Sequence, residues 1–342
     1  MVAIVSILTI AAALSIAGFL YQWIGGHRDR LRFAGCGRWV MIGQRCRLYL
    51  LEKGSGGPTV LFEAGIAATN LNWFHIQETV ARFTGTASYD RCGLGWSSPC
   101  LTPRTPANIA AELHAMLKNA GITPPYILVG HSFGGLVMRR YALLYPEQVA
   151  SAILIDPMRC EEWPPLDPSK QPQLDLGRKL IAFVIPFARF GLVRLAIASL
   201  LHRSNRLSGH LAGTAGAGGR HVLSRVTDEV RKMPREVWPI VAAHWSRPAY
   251  YAGMRRHVEA VPDTVTEMQN AEPILGIPIL VLTPGKSTPL SDEYLRRIGD
   301  NVQQVIASTS AHWIHLDQPE LVVDSIRAMV AATARDVTVA AV

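Results

Sequence analysis

The chain has 342 residues, of which 49% are hydrophobic and 18% charged, a balance that suits a folded core of one large or two average domains and excludes a disordered chain. Its formal charge of +8 comes without zinc-finger spacing, an RNP-like aromatic motif or a continuous basic run, which argues against nucleic acid as a partner. Cys36, Cys46, Cys92, Cys100 and Cys160 form no C-x-x-C pair, and their odd number reads as free thiols, with a Cys36–Cys46 or Cys92–Cys100 bridge as the alternative.

Residues 1–26 carry no charged side chain, and the run HRDRLR follows at once. That length crosses about 30 Å of hydrocarbon as a helix, with Tyr21 and Trp23 where interfacial aromatics sit. We read it as a permanent transmembrane anchor. A cleaved signal peptide is the rival, but it normally has a basic n-region and a small-residue cleavage site, which are missing or poor here. Arg28, Arg30, Arg32 and Arg38 on the far flank place the rest of the chain on the cytoplasmic side by the positive-inside rule, in keeping with unpaired thiols.

After the anchor, residues 37–57 alternate as a two-stranded hairpin, and PTVLFEAG reads as a buried strand. TASYD is another strand end, running into the glycine-rich loop RCGLGWSSP. Thr105 as N-cap and Pro106 at the first helical position open a helix to about Asn119. Tyr126–Val129 is a short buried strand, Leu136–Leu144 a helix stopped by Pro146, and SAILIDP a further strand. This alternation predicts a largely parallel sheet. From Met158 to about Ala271 the pattern turns proline-rich, then helical, then glycine-rich at 213–219, and helical again. IPILVLTPG and NVQQVIAST restore strands, and an amphipathic helix closes the chain.

Chemistry concentrates at Gly130-His131-Ser132-Phe133-Gly134, where a strand turns sharply into a helix. Such a turn lifts the serine hydroxyl clear of the sheet, and glycines on either side let backbone segments pass. A serine hydroxyl needs a base at neutral pH, most simply an imidazole. Four stretches in order, FEAG, YDRCGLGWS, GHSFGG and SAHWIHLDQPE, make the chain resemble the α/β-hydrolase superfamily over roughly residues 38–335 outside the 158–271 region. The resemblance implies a mostly parallel sheet flanked by helices, a core of residues 38–157 and 272–335, and a helical lid insertion at 158–271.

It also implies a Ser-His-Asp triad with Ser132 as nucleophile and His312 as base, His315 being the second choice. The acid departs from the commonest family pattern. The loop after ILVLTPG reaches no aspartate until Asp292, whereas Asp156 ends the preceding strand, where some relatives carry their acid. Asp156 is the first choice, Asp292 the alternative, and Glu293 or no acid at all stands behind both. The oxyanion donors are the backbone N–H groups of Phe133 and Ile66, with Ala64-Gly65 where the family usually has His-Gly. Asp90 and Arg91 read as residues that pin the loop after their own strand, and Trp73 and Trp96 as pocket lining or core.

Between Met158 and His257 there are sixteen Lys and Arg against seven Asp and Glu, so the insertion is the basic part of the chain. In relatives it sets acyl-chain or leaving-group preference. Its stretch LIAFVIPFARFGLVRLAIASLL resembles a second span, but Pro186, Arg189 and Arg194 favour a pair of lid helices with an apolar face for a lipid-like substrate or a membrane surface. The expected activity is cleavage of a small-molecule or lipid-like carboxylic ester, with no metal or organic cofactor implied. The alternatives are acyl transfer, amide cleavage or a lyase reaction at the same serine, or a hydrolase-fold binding protein without turnover.

Overall fold

The structure, a computed structural model, describes residues 1–202 and 229–340, so the glycine-rich stretch 213–219 lies outside the described residues. The chain divides into two compact units: Gly37–Pro172 with Arg256–Val342, and Met1–Cys36 with Gln173–Arg255.

The first unit is built on an eight-stranded sheet of β1 (Arg38–Met41), β2 (Arg47–Lys53), β3 (Thr59–Glu63), β4 (Thr86–Asp90), β5 (Tyr126–His131), β6 (Val149–Ile155), β7 (Ile279–Pro284) and β8 (Val302–Ala307). Its order is β1-β2-β4-β3-β5-β6-β7-β8. The β1–β2 and β2–β4 pairs are antiparallel, and the rest are parallel. The central strands are apolar on both faces because helices cover both. Val60, Phe62, Ile127, Val129, Ile153, Ile155 and Leu282 share one face with Trp73, Ile76, Val322 and Ile326. The intervening Leu61, Leu128, Leu154 and Val281 share the other with Leu113, Met138 and Tyr141. Each such fully buried side chain contributes about 1.5–3 kcal/mol, and a one-residue slip would turn both sets inside out.

The sheet also fixes where chemistry can occur. From β3 the chain goes to β4 on one side and β5 on the other, so the strand order reverses between β3 and β5. At such a switch point the loops leaving the carboxyl ends of the strands diverge and open a crevice. Ser132 follows β5 and Asp156 follows β6, and the register pairs His131 with Ile155, so the two residues leave the sheet side by side.

In the second unit, the N-terminal helix runs Val2–Phe33, past the charge-free segment, because Arg28, Arg30 and Arg32 are good helix formers, the last two meeting the negative end of the helix dipole. Residues 1–17 are exposed, but Gln22 is buried. Gln22 Nε2 donates to the Ser246 carbonyl at 2.9 Å, and Arg194 donates to Gln22 Oε1 at 3.0 Å and to Asp29 at 2.6 Å. The second apolar stretch forms the helices Gln171–Arg189 and Leu192–His202. They are bent by 91° at a break marked by Gly191 with φ 76°, while Pro186 stays inside the first helix.

Candidate active site

Ser132 adopts φ 54° and ψ −120°, a conformation that L-residues avoid. The turn holds it there: Ser132 N–H donates to the Ile155 carbonyl at 3.0 Å, and its own carbonyl accepts from Gly135 at 3.0 Å and Met158 at 3.1 Å. A Cβ at Gly130 would come 2.5 Å from the Gly134 carbonyl oxygen, and one at Gly134 would come 2.6 Å from that of Ala64, so the helix Phe133–Leu144 crosses β3 and β5 too closely for any side chain. Among the described residues, Ser132 and Asp156 are the non-glycine residues with positive φ, Asp156 at 39°. Strain of this kind, about 1–3 kcal/mol each, persists only where surrounding structure enforces it.

His312 Nδ1 lies 2.6 Å from Asp156 Oδ2, both side chains being a little over a quarter exposed. Asp156 is fixed in turn by its backbone N–H, which donates to the Leu282 carbonyl at 2.8 Å. The structure thus brings Asp156 and His312 together and leaves Asp292 elsewhere. Asp292 is exposed in the first turn of the helix Asp292–Ile298, where Ser291 Oγ caps the helix and Glu293 pairs with Arg297 at 2.6 Å. His315 is buried, with its ring 4.9 Å from Trp73 and 4.3 Å from His131.

His131 has a part that its place in the motif does not announce. Its Nε2 lies 2.9 Å from the His312 carbonyl oxygen, so Nε2 carries the proton and donates. Burial, with His315 and His312 adding to it, holds the imidazole well below the usual histidine range, and the ring is neutral. His131 therefore ties the backbone of His312 to the elbow.

Phe133 is the first residue of its helix, so its N–H has no intrahelical carbonyl and points to the end where anions are favoured. The loop after β3 packs on the elbow: a Cβ at Gly65 would lie 3.8 Å from Ser132 Cβ and 3.3 Å from His131 Nδ1, and Ile66 follows. A buried guanidinium holds this loop. Arg91 donates to Glu63 Oε1 at 2.8 Å, to the Ala64 carbonyl at 2.7 Å and to the Gly65 carbonyl, while Tyr89 also donates to Glu63. Burial pushes the Glu63 carboxyl up against the pull of Arg91 and Tyr89. Arg91 thus reaches across to the loop after β3, whereas the sequence reading kept it at its own loop. Asp90 links both loops, accepting from Asn70 N–H at 3.0 Å and Trp96 N–H at 2.8 Å. The signal for this support in the sequence is the acid Glu63 closing the buried strand TVLFE.

Trp73 and Trp96 are both buried, and Trp73 packs on Phe62 with ring centroids 5.1 Å apart. All five cysteines are free. The near pair is neither bridge weighed from the sequence: Cys46 and Cys92 have their sulfurs 2.9 Å apart. With Cys100 they form, among the described residues, the one group of metal-ligating atoms within 4.8 Å of one another.

A family model described as "alpha/beta hydrolase fold" matches residues 58–240. The chain is 37% identical over 112 residues to lipase LipV of Mycobacterium tuberculosis, covering 32% of this chain and 41% of that protein. It is 33% identical over 106 residues to the uncharacterized protein YqjL of Bacillus subtilis, covering 31% and 42%. The chain thus spans less than half the length of these curated relatives. A solved thermophilic esterase from Thermogutta terrifontis shares the fold with a TM-score of 0.59 and 20% identity over 87% of this chain and 98% of that one.

Proposed function

The chain belongs to the alpha/beta hydrolase fold family, and from that membership we propose that it is a serine hydrolase that cleaves carboxylic esters through an acyl-enzyme intermediate. The observation that carries this reading is the 2.6 Å contact between His312 Nδ1 and Asp156, formed next to a serine held in a strained turn. With Nδ1 committed to the carboxylate, Nε2 is the nitrogen left to take the Ser132 proton as Oγ attacks the ester carbonyl. Asp156 fixes that tautomer and stabilises the imidazolium. The backbone N–H groups of Phe133 and Ile66 meet the developing oxyanion, and Arg91 keeps the second of them in place. The imidazolium returns its proton to the leaving alcohol. Water then attacks the acyl-Ser132 ester with His312 as base, releasing the acid and the free serine. The name of the related lipase supports an ester as substrate.

A burst experiment with an activated ester tests this. Wild type should release one equivalent of alcohol per site before steady turnover, and Ser132→Ala should lower turnover by about 10⁵-fold or more while remaining folded. Ester turnover by Ser132→Ala at the wild-type rate would sink the proposal.

We infer further that the helix Val2–Phe33 anchors the protein in a membrane, with the catalytic residues on the cytoplasmic side. It is, among the described residues, the one unbroken helix long and apolar enough to span, and its basic flank supports that orientation. Because Gln22 and Asp29 both engage Arg194, the cut that frees the enzyme intact falls before them. Deleting residues 1–20 should move the protein from the carbonate-resistant pellet to the supernatant with activity retained. A deleted form that still pellets would remove the anchor, and digestion of the full chain by protease outside intact cells would reverse the orientation.

A further inference from the structure

The three thiols beside β2 and β4 are not used by the chemistry above, and the fold brings them together from separate stretches. Cys46 and Cys92 lie just beyond the register pair Tyr49 and Asp90 of the antiparallel β2–β4 ladder. The loop then doubles back: Ser98 N–H donates to the Arg47 carbonyl at 3.0 Å, which returns Cys100 to the same place. Cys92 is buried, whereas Cys46 and Cys100 are half-buried.

The surroundings decide between a metal and electrons. Arg104 Nη1 lies 2.9 Å from the Cys100 sulfur, and Arg104 grips both oxygens of Glu112, each at 2.7 Å. A closed zinc site on three thiolates would need a fourth protein ligand, and the nearby Glu112 carboxylate is already held by a cation that touches the Cys100 sulfur. The same guanidinium favours a thiolate. Hydrogen bonding from Cys92, followed by the charge of Arg104, outweighs burial and brings the Cys100 thiol down to about 7. Burial pushes Cys46 up, and the hydrogen bond to Cys100 with burial pushes Cys92 up.

We propose that Cys46, Cys92 and Cys100 form a peroxide-reactive thiol relay, in which Cys100 is oxidised first and the product is a Cys46–Cys92 disulfide. The Cys100 thiolate attacks a peroxide oxygen. An S–O bond forms, the O–O bond breaks, and the departing hydroxide or alkoxide takes a proton, leaving Cys100 as sulfenic acid. Cys92 then attacks the Cys100 sulfur, the S–S bond forms, and hydroxide leaves with the Cys92 proton as water. Cys46, 2.9 Å from the Cys92 sulfur, displaces Cys100, which is the better leaving group because its thiolate is the more stable. In sum, two thiols lose two electrons and two protons, and the peroxide becomes an alcohol, or water from hydrogen peroxide, plus one further water.

Reduced full-length protein, treated with a few equivalents of hydrogen peroxide, capped with N-ethylmaleimide and mapped by mass spectrometry without reduction, tests the relay. We expect a Cys46–Cys92 bridge with Cys100 capped. Cys100→Ser should slow formation of that bridge by about 10-fold or more, since the remaining thiols lack the stabilised thiolate. Cys46→Ser should stop at a Cys92–Cys100 bridge. Three thiols still fully capped after peroxide, an unchanged rate in Cys100→Ser, or one zinc ion per chain that is lost in Cys100→Ser would each overturn the proposal.

Discussion

The ends of β6 and β7 offer the same carboxylate under opposite conditions. Asp156 leaves β6 in a left-handed conformation, anchored to Leu282, with its side chain on His312. Asp292 lies eight residues beyond the end of β7, in the relaxed first turn of an exposed helix, where its charge simply suits the helix dipole. An aspartate tolerates the left-handed region better than most residues but still sits there at a cost. Backbone strain thus marks the aspartate whose position the fold over-determines, and the same mark falls on Ser132 at the neighbouring strand.

The two carboxylates should differ most in what their loss does to turnover. Asp156→Asn should lower ester turnover by about 10⁴-fold, because an amide favours the wrong tautomer of His312, whereas Asp292→Asn should leave turnover within about twofold. Steady-state kinetics of the two variants side by side give the ranking, and the reverse order would move the acid to the end of β7.

A smaller effect tests the support behind the elbow. Arg91→Met leaves Glu63 buried without its cation, and breaking such a pair costs about 3–5 kcal/mol. Released carbonyls at Ala64 and Gly65 should let the Ile66 loop drift, lowering kcat by about 10²-fold with KM little changed. Urea unfolding and kinetics on the same sample separate the two. A destabilised enzyme with full kcat would reduce Arg91 to a core residue.

The smallest effect is on pH. His131 is held neutral in the folded state, so its folded pKa lies below the unfolded value near 6.5. Below about pH 6.5 the unfolded chain takes up a proton that the folded chain refuses, and stability falls with falling pH by about 1.4 kcal/mol per unit, with no contribution above. Buried His244, lowered to about 3, adds a slope of the same sign. His131→Gln keeps a donor for the His312 carbonyl and should flatten the acid limb of unfolding midpoints between pH 5 and 7. An unchanged slope would mean that His131 is not held neutral by the fold.

Much of this architecture was legible from contiguous residues. Ser132 stood out because strand, glycines and helix follow one another within a few positions, and the alternation of strands and helices foretold the parallel sheet. The choice between Asp156 and Asp292 stays open in the sequence because it depends on two side chains 156 residues apart, one after β6 and one after β8, which come to 2.6 Å only once β7 pairs with both of those strands. The reach of Arg91 is hidden for the same reason, since its partners Glu63, Ala64 and Gly65 lie at the end of another strand and in the loop that follows it. The Cys46–Cys92 approach follows from an antiparallel register between strands that are not consecutive. The first helix continues past the charge-free segment to Phe33 because an arginine run can end a membrane span without ending a helix.

In the proposed mechanism Ser132 is the nucleophile, and His312, steadied by Asp156, makes it reactive. Labelling by a fluorophosphonate, followed by peptide mapping, measures both at once. We expect a single adduct on Ser132, forming at wild-type rate in Asp292→Asn, at least about 10²-fold more slowly in Asp156→Asn and not measurably in His312→Ala. An adduct on another residue, or equal rates in Asp156→Asn and wild type, would contradict it.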